Sequence, residues 1–326
     1  MRSLLLALFL CCACLFGSAQ SYTWWEETVH WDGVTPWERY VVFTPGFLGP
    51  NALPVPRVTN GSIDSVNSFG LSTHFYFSND DHTQDIALYA NYCLVKGKIS
   101  FDAFWVPVEH FTMSHELKTE RHVFTLHYYD HYANGDVHLN TNIQLFNNKA
   151  KKIQSALRVG YRFPTSEIGA SRFTDAPGYY FDASFAKGFH SSPALKWIVM
   201  AGGYFWQAEI RRHPQDDAFL FGTGFEWNKK NLRIQTTLSG YLGYFYRMRD
   251  KPILFRAGFD KAIKQKILFF QFQQGLHNFN YASAELGLKF QYGNNKRSDK
   301  KLASCRQTSV LQQANLVAKN STFDAP

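Results

Sequence analysis

The stretch ELGLKFQY, Glu285 to Tyr292, alternates without a slip: polar or small residues stand at 285, 287, 289 and 291, apolar ones at 286, 288, 290 and 292. Successive side chains of a strand point to opposite faces, so this octapeptide makes a strand with one oily face and one wet face. Its fold class turns on which face meets water. A soluble sheet packs the oily face inward, whereas a membrane barrel turns it out to lipid.

The pattern recurs. Val137, Leu139, Thr141, Ile143 and Leu145 alternate with His138, Asn140, Asn142 and Gln144; Ile153, Leu157, Val159, Tyr161 and Phe163 oppose Gln154, Arg158, Gly160 and Arg162. Phe219, Phe221, Phe225 and Trp227 oppose Gly222, Gly224 and Glu226, and similar rows run through 232–239 and 253–260. The polar rows carry small residues and charges of both signs, which suits a lumen better than an exposed surface. Such segments begin near 67, 84, 98, 136, 153, 177, 196, 217, 231, 251, 265 and 281. The expected fold is therefore all-β: a transmembrane antiparallel up-and-down β-barrel of about 12 strands, an even number that returns both ends to one side. The segment near 196 is the least regular, because Ile198, Met200, Tyr204 and Trp206 compete with Trp197, Val199 and Phe205 for the oily face.

Composition agrees. The 326-residue chain is 45% hydrophobic and 17% aromatic, with 30 Phe and 17 Tyr, yet its mean hydropathy is −0.28. After residue 20 no apolar run approaches the roughly 20 residues of a membrane helix. The connections also sort into two kinds. One set holds Lys96 and Lys98, Lys149 to Lys152, Lys187 and Lys196, Lys229 and Lys230, and Lys261 to Lys266; the other holds the longest segments, 110–135 and 164–176. Short turns on the periplasmic side and longer external loops are the rule in such barrels.

Residues 1–19 read as a signal peptide, with Arg2, an apolar run from Leu4 to Phe16, and the small residues Gly17, Ser18 and Ala19. Residues 20–66 precede the barrel, which spans 67–292. Their prolines at 50, 54 and 56 favour an extended conformation, either as a plug in the lumen or as a periplasmic arm. Residues 293–326 form a basic tail with no strand period: Lys296, Arg297, Lys300, Lys301, Arg306 and Lys319 against Asp299 and Asp324, six basic residues against two acidic for a net +4. Export argues against nucleic acid as its partner. With Cys93 and Cys305 alone left beyond the leader, no disulfide framework is implied.

ELGLKFQY resembles the C-terminal assembly signal of bacterial outer-membrane proteins, with Glu285, Gly287, Phe290 and Tyr292 at the signal positions; the tail after it departs from that pattern. FTPGFLGPNALPVP (43–56) and RFTDAPGYYFD (172–182) resemble segments of a porin- or transporter-like bacterial outer-membrane barrel family. The resemblance implies the barrel, a location in the outer membrane of a Gram-negative bacterium, and contact with its lipids, lipopolysaccharide and barrel-assembly machinery. It implies no activity and no cofactor.

Candidate functional residues follow from parity. The inward charges are Asp102, Arg158, Arg162, Asp182, Glu226, Arg233, Arg256, Asp260, Glu285 and Lys289. Balanced charges either close a narrow barrel by cross-strand pairs or line a watered path for small polar or anionic solutes. A passive channel, a plugged structural or surface-binding barrel, and a membrane-embedded lipid hydrolase are the readings to separate. No G-x-S-x-G elbow supports the last. His127 and His131 have a spacing that suits a metal on a helix, but the aromatic residues between them read as extended ribbon with no third ligand.

Overall fold

The computed structural model describes residues 30–35, 48–121, 130–167, 170, 172–174, 176–210, 213–244 and 250–292. The strands are β1 (Asn67–Ser78), β2 (Asp81–Val95), β3 (Ile99–Met113), β4 (Asp130–Ala133), β5 (Val137–Asn148), β6 (Ile153–Phe163), β7 (Gly178–Gly188), β8 (Leu195–Ile210), β9 (His213–Lys229), β10 (Leu232–Gly243), β11 (Ile253–Ile263), β12 (Lys266–His277) and β13 (Ala282–Tyr292). One short helix, α1 (His115–Arg121), follows β3, with the Ser114 hydroxyl capping the Leu117 amide at 3.2 Å. All strand pairs are antiparallel neighbours, and β1 pairs with β13 from Asn67 opposite Tyr292 to Phe77 opposite Ala282, which closes the barrel.

Twelve strands make the wall; the thirteenth is the outer end of another. Both β4 and β5 pair with β3, at Glu109 opposite Ala133 and at Trp105 opposite Val137. These pairings share one register, so β4 continues β5 past a gap in the ladder. Pro107, which has no amide proton to give, sits in the matching part of β3. The Gly135 amide bridges the gap by donating to the Val106 carbonyl at 2.7 Å, and the Trp105 indole donates to the Gly135 carbonyl at 3.1 Å. Compared with the sequence reading, β2 begins earlier, at Asp81, and β9 at His213. The first turns of these strands carry polar side chains outward, His82 and Gln84 on β2, which hides the alternation there.

The oily rows face out. Phe69, Leu71, Phe75 and Phe77 of β1 are 40–55% exposed, while Ser72, His74 and Tyr76 between them are buried. Phe219 and Phe225 are likewise exposed, at 48% and 49%. A belt of large apolar side chains this extensive far exceeds the patches water tolerates and is the surface a bilayer covers. The tight turns at the opposite end from α1 bend through positive φ at Lys152, Lys230 and Lys264.

Residues 48–66 run lengthwise through the lumen, beginning beside α1 and ending at Asn67, where β1 starts. Arg172, in the β6–β7 loop, donates to the Leu48 carbonyl at 3.1 Å. Further along, Tyr241 bonds the Leu53 carbonyl, Arg256 that of Val55, Arg158 that of Arg57, Gln154 that of Asn60 and Asn91 that of Val66. Pro54 and Pro56 explain why this works: proline has no amide proton to strand in the lumen and holds the chain extended, which leaves the carbonyls before it free to accept.

This segment also settles β8. Ile198, Met200, Tyr204 and Trp206 face inward because Leu53, Val55 and Val58 give them an apolar partner, together with Leu220, Tyr241 and Leu254. Full burial of one such side chain is worth about 1.5–3 kcal/mol. The segment comes so close to β9 that a Cβ on Gly222 would stand 2.5 Å from Val58 Cγ2.

Candidate functional site: the occupied lumen

A chain of polar side chains descends the wall formed by β13, β1, β2 and β3. At the α1 end Asp81 accepts from Arg121 at 2.8 Å, from Arg172 at 3.0 Å and from the Tyr281 hydroxyl. Arg172 also donates through Nε to Glu109 at 2.8 Å and lies over the Phe111 ring. Burial opposes its charge, but Asp81 and Glu109 hold the guanidinium above its ordinary value. Arg172 thereby joins the two sequence segments 43–56 and 172–182, through its bond to the Leu48 carbonyl.

The Asn51 amide then donates to both Glu109 and Asp85, each at 2.8 Å, and accepts from Tyr76. His74 stands between two carboxylates: Nδ1 meets Asp85, and Nε2 lies 3.2 Å from Glu285. Glu285 closes the chain with Arg57 at 2.7 Å and the Tyr89 hydroxyl at 2.6 Å. Because both His74 nitrogens face carboxylates, neither is placed to take a proton from a nucleophile, as a hydrolase would require.

The ten inward charges all lie on the lumen side, in distinct settings. Arg158 and Asp182 are cross-strand partners joined at 2.7 Å, and Arg233 pairs with Asp260 in the same way. Arg162 meets Asp136 at 3.2 Å. Glu226 accepts from Asn60 at 2.8 Å and from Asn228 at 2.6 Å, with Lys196 at 3.7 Å. Asp102 is held by Asn140 and Asn142, each at 2.6 Å. Arg256 has no carboxylate partner among the described residues and is held by Gln273, Ser239 and the Val55 carbonyl. Lys289 lies over the rings of Phe269 and Tyr89, at 5.0 and 5.4 Å.

Parity alone did not single out Asp81, Asp85, His74 or Glu109. The inward row Asp81, Thr83, Asp85 was present in β2 but lacked an oily counterpart, and Glu109 follows an irregularity in the β2–β3 register that reverses the parity of β3. Arg57 and Arg172 come from outside the strands, where no period exists to reveal them. The assembly-signal residues divide by face: Glu285 and Gly287 point inward, while Phe290, stacked on Phe69 at 5.2 Å, and Tyr292 belong to the outer row. His131 lies on β4 with its ring edge-on to Phe111, and His127 lies outside the described residues, as does the tail 293–326. Among the described residues no group of three or more His, Cys, Asp or Glu could hold a metal ion.

Between the segment 57–64 and the inner half of the wall lies a cavity of about 290 Å³, lined by Arg57, Arg233, Arg256 and Lys289 and, on the same surface, by Asp64, Asp102 and Asp260.

Fold and lumen together define a closed transmembrane β-barrel of the outer-membrane kind whose interior is occupied by its own chain. No protein-family model matches the sequence, and no curated protein matches it. Among solved structures the chain is similar to the NanC porin, with 10% identity and a TM-score of 0.45 over 69% of this chain and 100% of that one. It is also similar to the β domain of the Bordetella autotransporter BrkA (8%, 0.39, 70% and 100%) and to OmpT of Vibrio cholerae (9%, 0.33, 70% and 99%). At these scores the barrel rests on its own strand pairing rather than on the likeness.

Proposed function

We propose that the protein is a conduit for small polar or anionic solutes in the outer membrane of a Gram-negative bacterium, held closed at rest by residues 48–66. The observation that carries this reading is the way the segment is held: Tyr241, Arg256 and Arg158 grip its backbone carbonyls along the length of the lumen. A wall that binds backbone through polar side chains becomes a hydrated, basic surface once the segment leaves, because each donor is then free to bind water or solute. The outward apolar row supports contact with membrane lipid and lipopolysaccharide, and the resemblance of ELGLKFQY to an assembly signal supports capture by the barrel-assembly machinery.

The second reading is a permanently blocked structural or surface-binding barrel. The apolar clamp of Tyr204, Trp206, Leu220 and Leu254 around Leu53 favours it. Conductance across a planar bilayer separates the two. The conduit reading expects rare openings from the intact protein and steady, anion-preferring conductance once residues 20–66 are deleted. A deletion variant that retains barrel circular dichroism and stays silent would establish the blocked barrel.

A further inference from the structure

We propose that the inner cavity is a binding site for a small organic anion bearing a carboxylate or phosphate at one end and a hydrogen-bond donor, such as a hydroxyl, at the other. The inference rests on the reading of the lumen as a solute path, and it adds a ligand class and the residues that select it.

The basic end is built from the segment and from strands β10, β11 and β13. Lys289 makes no hydrogen bond and no ion pair with the described residues; the rings of Phe269 and Tyr89 support its ammonium group, 5.0 and 5.4 Å from the ring centres. An ammonium seated on aromatic faces keeps its donors for a partner, and those faces strengthen the site by excluding water. Arg57 and Arg233 reach the same cavity with side chains 43% and 42% exposed. Each spends part of its five-donor fork on one close carboxylate, Glu285 for Arg57 and Asp260 for Arg233, which leaves donors for a second oxyanion. Arg256 adds a buried positive charge that no carboxylate among the described residues offsets within ion-pair distance.

The acidic end is on β3. Asp102 lines the cavity with both oxygens already taken by Asn140 and Asn142. Each carboxylate oxygen has a further lone-pair site, so Asp102 can still accept from a ligand hydroxyl. Asp64, exposed on the segment, lines the same cavity beside Lys289 and Arg233 and, together with Asp102, disfavours a ligand with more than one anionic group. A cavity of about 290 Å³ is at the small end of the range for ligand pockets. Cations grouped on the segment and on β10, β11 and β13, with Asp102 as an acceptor on β3, therefore select a short, dipolar anion rather than a polymer or a cation.

Calorimetric titration of the full detergent-solubilised barrel with butyrate, 4-hydroxybutyrate and inorganic phosphate tests the site without any conductance. All three are expected to bind; 4-hydroxybutyrate, which differs from butyrate by one terminal hydroxyl, is expected to bind more tightly than butyrate. Lys289→Gln is expected to weaken all three at least tenfold, and Asp102→Asn to remove the preference for 4-hydroxybutyrate, whereas Lys187→Gln, outside the cavity, leaves binding unchanged. Tighter binding of ethanolamine, which has no anionic group, or affinities untouched by Lys289→Gln in a variant with wild-type melting, would overturn the proposal. Anion binding by a barrel that never conducts after deletion of 20–66 would retire the conduit and keep the site; conductance without anion binding would do the reverse.

Discussion

Arg256, on β11, donates from Nη2 to the carbonyl of Val55, 2.8 Å away and 201 residues distant in sequence, while Nε and Nη1 bond Gln273 and Ser239. One side chain thus ties three parts of the molecule together: two strands of the wall and the segment inside it. The contact reads backbone rather than side chain, so the segment's place depends on its proline-enforced extension more than on the identity of Val55.

Removing that tie should loosen the segment. A hydrogen bond from a charged donor contributes about 1.5–3 kcal/mol, so Arg256→Gln, which shortens the side chain and removes the charge, is expected to raise the frequency of conductance openings about 10- to 100-fold. Single-channel recording at fixed voltage reads this directly. Unchanged opening with preserved melting would show that the segment is held by its apolar contacts alone.

The outward row should behave as lipid-facing. Leu71, near the middle of β1, is 49% exposed between Gly70 and Ser72, both buried on the lumen side. Arginine on the lipid face near the bilayer midplane costs about 2–4 kcal/mol, so Leu71→Arg is expected to lower folding stability in lipid vesicles by that amount. Refolding titrations in urea measure it. A loss below about 0.5 kcal/mol would place Leu71 away from hydrocarbon.

Twelve spans were legible in the sequence because each exposes one row to lipid and one to polar surroundings, a contrast that survives without knowledge of any neighbour. The rule failed where the lumen itself is apolar. Ile198, Met200 and Trp206 face inward on β8 only because residues 53–58 lie against them, a contact between parts of the chain some 145 positions apart that no local period encodes. The polar wall was legible for the same reason as the spans, through Arg158, Asp182, Arg233 and Asp260. The network through Arg172 and Arg57 was not, since loops and extended segments carry no repeat to give a side chain a direction.

The α1 end should respond to alkaline pH. Burial, and secondarily the charge of Arg172, pushes Lys118 down from 10.5 to about 8. Between those values the unfolded chain binds a proton that the folded loop has released, so stability rises with pH across that window and is flat below it. The difference in melting temperature between wild type and Lys118→Met is therefore expected to shift in favour of wild type from pH 8 to 10.5. A pH-independent difference would mean that Lys118 is solvated.

The path of the segment puts Leu48 and Tyr292 at opposite mouths. Leu48 is bonded to the loop residue Arg172 at the α1 end, whereas Tyr292 is opposite Asn67 at the end with the tight lysine turns. An epitope inserted just before Leu48 is expected to be cut by protease added to intact cells, and one placed after Tyr292 only after the envelope is opened. Protection of both, or exposure of both, would contradict this course.

A barrel closed by its own chain requires residues 48–66 to lie inside it once it is in a membrane. Val58 and Gly222 come within contact distance there, close enough for a disulfide between cysteines placed at the two positions. With Cys93 and Cys305 changed to Ser, the Val58→Cys, Gly222→Cys protein in vesicles is expected to form an intramolecular bond nearly quantitatively under mild oxidation, visible as an altered gel mobility reversed by reductant. Two free thiols that remain open to a water-soluble maleimide would place the segment elsewhere.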